Sequence, residues 1–68
     1  MSVYKVIELI GSSEKSWEDG AKKAVELAAK NLKEIRIAEI KEMDMRIEKG
    51  KVVDYRTKLR ISFKYKPE

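Results

Sequence analysis

Two stretches of the chain carry side chains in patterns that can do chemistry. The first, "EIKEMD", sets Glu39, Glu42 and Asp44 close together, with Glu48 a little beyond. Carboxylate oxygens are the ligands that Ca²⁺ and Mg²⁺ prefer, and on an extended strand Glu42, Asp44 and Glu48 share one face. Asp44 and Glu42 are therefore the candidate metal ligands. The loop pattern of an EF-hand is absent, and the ordinary alternative for such groups is pairing with neighbouring Lys and Arg. A metal site is favoured where symmetry brings copies of one carboxylate together.

The second stretch, "DYRTKLRISFKY", alternates almost without error. Tyr55, Thr57, Leu59, Ile61, Phe63 and Tyr65 point one way; Arg56, Lys58, Arg60, Ser62 and Lys64 point the other. One face wants a core and the other is a rail of positive charge. Such a rail can neutralise phosphates, but sheet modules that bind single-stranded nucleic acid carry aromatics on the same face as the charge. Here the aromatics lie opposite, which argues against nucleic acid and leaves solvent, a small anionic ligand or another subunit.

Catalysis finds little to work with. The sequence has no histidine and no cysteine, so the commonest general base and the strongest nucleophile are missing. Thiolate zinc sites and disulfides are excluded as well. Ser12, Ser13 and Ser16 sit where a loop and a helix cap are needed, and no glycine-rich phosphate loop occurs. The residues point to a protein that is not an enzyme.

These side chains must be positioned by a small scaffold. The 68 residues allow one domain, residues 1–68. "VYKVIELI" reads as a strand from Val3 to Ile10, closed by the loop "GSS". It is apolar on both faces, Val3, Ile7 and Leu9 against Tyr4, Val6 and Ile10, so something must cover each side. Ser16 then opens a helix, with Glu18 and Asp19 in the first turn and an imperfect capping box from Ser16 to Asp19. Its stripe runs through Trp17, Ala21, Ala24, Val25, Ala28 and Leu32. Being mostly alanine, the stripe lets the helix lie close on a sheet, and Trp17 on it reads as packing rather than a ligand stack.

Residues 35 to 48 alternate as a second strand, but Ala38 and Ile40 fall out of phase with Ile35, Ile37, Met43, Met45 and Ile47. A bulge near Glu39 to Glu42 is the simplest cause. Gly50 makes the turn into the third strand. The plan is an α+β fold, β-α-β-β, with a three-stranded sheet in the order 1-3-2, strand three antiparallel to both neighbours, and one helix packed on one face. The second face and both edges are left open, which predicts self-association. No apolar run approaches the roughly 20 residues that span a bilayer, and no long apolar stretch follows a basic start, so the expected location is cytoplasmic with no membrane partner.

Taken together, "VYKVIELIGSS", "SWEDGAKKAVELA", "RIAEI" and "DYRTKLRISFKY" resemble the dodecins, and the resemblance runs from Ser2 to about Pro67. It implies a homododecamer, a hollow sphere of twelve subunits, that binds or stores a small ligand. Flavin (FMN or riboflavin) is the family ligand. The resemblance implies cofactor-binding positions at Ile37 and Arg56, where flavin-binding members have a stacking tryptophan and an edge-binding glutamine. Isoleucine loses the stacking term, about 0.5–1.5 kcal/mol per contact, and arginine only donates where an amide both donates and accepts. Asp44 stands where some bacterial members hold a basic residue for the flavin phosphate. "SWE", "DM" and "YRTKL" look closer to the branch described as calcium-binding, so Ca²⁺ is the second candidate ligand.

Overall fold

The computed structural model of the chain describes residues 2–65. Strand β1 spans Tyr4–Ser13, helix α1 Trp17–Ala29, β2 Ile35–Glu48 and β3 Lys51–Lys64. The sheet order is β1-β3-β2, with both outer strands antiparallel to β3, as the alternation and the turn residues predict.

The first strand does not stop at Ile10. It continues through Gly11, Ser12 and Ser13, and Gly11 and Ser13 are buried on the side that meets the helix. The reason lies in where the serines send their hydroxyls. Ser16 Oγ accepts from Asp19 N at 3.0 Å, the helix cap expected. The Asp19 carboxylate, however, accepts from Ser13 Oγ at 2.6 Å, and Ser13 Oγ in turn accepts from Lys15 N at 3.0 Å. The end of β1 and the start of α1 are thus stitched by one hydroxyl, so the connection is short and the strand long.

The helix ends at Ala29, before the end of its apolar stripe. Leu32 follows in a turn whose N–H reaches Ala28 O at 2.9 Å, and it still packs against the core. That core is small: Ala24 and Ala28 from the helix against Leu59 and Ile61 from β3, with Ile7, Leu9, Ala21, Val25, Leu32 and Ile35 around it. Thr57 is buried beside them and donates its hydroxyl to Trp17 O at 2.9 Å, which ties the first helical turn to the central strand.

The β2–β3 hairpin closes at Lys49 (φ 53°) and Gly50 (φ 76°), the two left-handed residues that a tight two-residue turn requires. β1 pairs only with residues 55–64 of β3. Beyond that point the hairpin runs on as a bare two-stranded arm, and the molecule is 50 × 19 × 16 Å. Its radius of gyration of 14.0 Å exceeds the ~11 Å of a compact chain of this length.

Candidate functional site

The sheet face away from the helix is built from cross-strand rows, and the register sets their members. One row reads Ser12, Arg56, Asp44; the next Ile10, Lys58, Glu42; then Glu8, Arg60, Glu39; then Val6, Ser62, Ile37. The basic rail of β3 is therefore flanked by carboxylates on both sides. Arg60 Nε donates to Glu8 Oε2 at 2.9 Å. Lys58 Nζ stands 3.8 Å from Glu42 and 3.9 Å from Glu8. Arg46 bridges Glu48 at 2.9 Å and Asp54 at 3.1 Å near the base of the arm. The other Asp54 oxygen, Oδ1, is buried and accepts no hydrogen bond from the described residues.

Asp44 and Arg56 form the best-aligned pair of the face. Arg56 Nε donates to Asp44 Oδ1 at 2.7 Å and Nη2 to Oδ2 at 2.8 Å, so one guanidinium edge engages both carboxylate oxygens. The backbone of Asp44 is held from the other side of the sheet, where Trp17 Nε1 donates to its carbonyl at 3.0 Å. Trp17 also stands edge-on to Tyr55, with ring centroids 4.9 Å apart. It packs between helix and sheet as the sequence suggests, and adds a hydrogen bond that no sequence pattern announced.

The two positions implied for a flavin lie on this same face, but one subunit does not bring them together. Ile37 pairs with Ser62 and Asp44 with Arg56, a separation of six residues along β3, or about 20 Å at strand rise. The two metal candidates are nearer each other, on adjacent rows. Among the described residues, no three acidic side chains of a single subunit gather closely enough to hold a metal ion.

Comparison with known proteins places this geometry. The model of the Dodecin family matches residues 3–66. The chain belongs to the dodecin family. Calcium dodecin of Mycobacterium tuberculosis is 46% identical over 67 residues, spanning 98% of this chain and 94% of that protein. Its crystal structure, described as that of a calcium-chelating antigen with a novel calcium-binding site, superposes with a TM-score of 0.87 at 47% identity, covering 98% and 96% of the two chains. A variant of the Thermus thermophilus dodecin gives a TM-score of 0.91 at 31% identity, covering the whole of both chains. The β-α-β-β fold of this dodecin, with strand order 1-3-2, is that of its relatives.

The charged rows also set how this dodecin responds to acid. The hydrogen bond from Arg60, helped by the charge of Lys58, holds the Glu8 carboxyl below its ordinary value. Arg56 does the same for Asp44, and Ser13 and Lys23 for Asp19. A carboxyl whose folded pKa is depressed stabilises the fold fully above its unfolded value and loses that contribution as pH falls through the folded one. Thermal stability is therefore expected to stay level from neutral pH to about pH 5 and to decline progressively below it, as the carboxyls of the unfolded chain, with ordinary values near about 4, begin to protonate. Glu8→Gln should give a lower but flatter profile in a melting series from pH 7 to pH 3. An unchanged slope would remove Glu8 from the account.

Proposed function

We propose that this dodecin is a non-enzymatic, cytoplasmic homododecamer, one domain per subunit, whose shell holds a small ion or ligand, and that a divalent cation such as Ca²⁺ is favoured over flavin. The observation that carries this reading is the Asp44–Arg56 pair. The side chain at the flavin-edge position is already engaged, through both Nε and Nη2, with a carboxylate of the neighbouring strand. A flavin edge, like a cation, would have to break that pair, but the aliphatic Ile37 offers flavin no stacking in return, whereas the freed Asp44 oxygens are themselves cation ligands. Asp44, with Glu42 on the adjacent row, offers oxygen ligands on an open face, and a full set comes from neighbouring copies, since one subunit does not hold three. The 46% identity to a protein called calcium dodecin supports the same choice. Matched charges along the β3 rail speak against a phosphate-backbone track.

Two parallel titrations test the reading. Millimolar Ca²⁺ is expected to raise the melting temperature by several degrees, because a ligand of the native state stabilises by mass action, and Asp44→Asn should lose most of that rise. Riboflavin and FMN should keep their fluorescence with protein in excess at roughly tens of micromolar. Quenching that saturates near one flavin per subunit, without a Ca²⁺ effect, would reverse the order and make this a flavin store whose site includes Ile37 and Arg56.

A further inference from the structure

We propose that Arg56 is an internal competitor for the cation site, so that an oxyanion which draws Arg56 away opens Asp44 to a divalent cation and the two ions bind cooperatively. The inference rests on the reading of Asp44 as a cation ligand. Arg56 spends two donors on the two oxygens of Asp44, at 2.7 and 2.8 Å, and a hard cation needs those same oxygens. The two occupants also repel, both being positive.

Arg56 differs from Lys58 and Arg60 in having a carboxylate on one flanking strand only. Lys58 has two carboxylates within 4 Å, Glu8 and Glu42. Arg56 faces uncharged Ser12 on its other flank, and Asp54, two residues back on its own strand, is already taken by Arg46. A cation on Asp44 therefore leaves the guanidinium without a hydrogen-bonded carboxylate, with only the charge of Asp54 beside it. The group that best replaces the lost carboxylate is another planar or tetrahedral oxyanion able to accept two parallel N–H bonds, a carboxylate, sulfate or phosphate. By linkage the effect is reciprocal: whatever the anion does for the cation, the cation does for the anion.

The exchange needs only side-chain rotation. The Arg56 and Asp44 side chains are 43% and 54% exposed, while the Asp44 backbone stays pinned by Trp17 Nε1. The structure thus assigns the site to an ion pair, such as a divalent cation with an oxyanion-bearing small molecule.

The test is a Ca²⁺ titration of the assembled protein, with free Ca²⁺ read by electrode, in sodium chloride and in sodium sulfate at equal ionic strength. Wild type should bind Ca²⁺ about 1.5- to 5-fold more tightly in sulfate, the range set by release of an exposed ion pair. Arg56→Gln should bind more tightly in chloride by a similar factor and ignore sulfate. If Asp44→Asn abolishes binding but neither sulfate nor Arg56→Gln tightens it, the competition is wrong while the cation site stands. If Asp44→Asn binds Ca²⁺ like wild type, the site itself is misplaced and both readings fall.

Discussion

Gly11→Ala is expected to leave the chain without a stable fold. A Cβ at Gly11 would collide with the carbonyl oxygen of Gly20, lie 2.7 Å from its carbonyl carbon and 3.0 Å from Ala24 Cβ. The obstacle is helix backbone, which cannot rotate aside as a flexible side chain would. The helix would have to lift off β1, opening space beneath Ala24 and Ala28 against Leu59 and Ile61, the buried apolar cluster of the described residues. Overpacking of this kind costs about 1–3 kcal/mol or more, and a core of this size supplies only about 3–5 kcal/mol. The neighbouring glycine gives the contrast. A Cβ at Gly20 would meet Gly11 O at 2.9 Å and Gly11 C at 3.2 Å, a milder clash, offset by up to about 1 kcal/mol of helix propensity. Circular dichroism melts should show no cooperative transition for Gly11→Ala and a lowered but still cooperative transition for Gly20→Ala. A wild-type melt for Gly11→Ala would mean that the helix is not held where these two backbones meet.

That contact shows where the sequence was readable and where it was not. The alanine-rich stripe announced a helix lying close on a sheet, and the structure has one. Nothing in the one-dimensional pattern said which strand residue would sit beneath Gly20, because Gly11 read as part of a loop. The charged rows illustrate the same limit more sharply. Counting back from the turn at Lys49 and Gly50 pairs Glu48 with Lys51 and Ile47 with Val52, and continuing without interruption would set Asp44 opposite Tyr55. Instead the register shifts between Arg46 and Ile47, with Val53 as the extra residue on β3, and shifts back between Ile40 and Glu42, with Lys41 extra on β2. The stretch between these two shifts is displaced by one residue, and it holds Glu42 and Asp44.

The displacement turns their carboxylates onto the basic face and sets Met43 opposite Thr57 on the helix side. The bulge near Glu39 to Glu42 was legible, since Ala38 and Ile40 were out of phase with the methionines. The shift at Arg46 was not, because an extra residue on β3 leaves the alternation of β2 intact. A third irregularity, between Ile35 and Ile37, splits two isoleucines that the alternation had placed together: Ile35 packs against the core, while Ile37 is 63% exposed on the far face. Sequence alone therefore located the candidate residues and their strands but not the pairing of Asp44 with Arg56, on which the chemistry of the face depends.

Ile40→Lys combined with Met43→Lys is expected to break the assembly into species of a few subunits or fewer. The helix lies mainly over β1 and β3, so the helix-side flank of β2 beyond Ile35 is only partly covered in one subunit: Ile40, Met43, Met45 and Ile47, with Val52 of the arm, are each 44–61% exposed. A two-stranded arm is marginal by itself in water. The total surface makes the same point. A chain of 7.9 kDa folded as a compact monomer exposes about 4,400 Å² by the scaling of monomer surface with mass, whereas this subunit exposes 5559 Å². The excess is larger than the ~800 Å² that one partner contributes to a standard interface. Burying one Ile or Met side chain stabilises by about 1.5–3 kcal/mol, so replacing two per subunit removes roughly as much as the core provides, and two buried ammonium groups add their own desolvation cost. Light scattering at physiological salt should report the loss of the large particle, with a lower melting temperature as the arm loses its support. A particle of unchanged mass in the double variant would show that this flank does not meet a second subunit, and the arm would then need another partner to explain why its apolar side is left open.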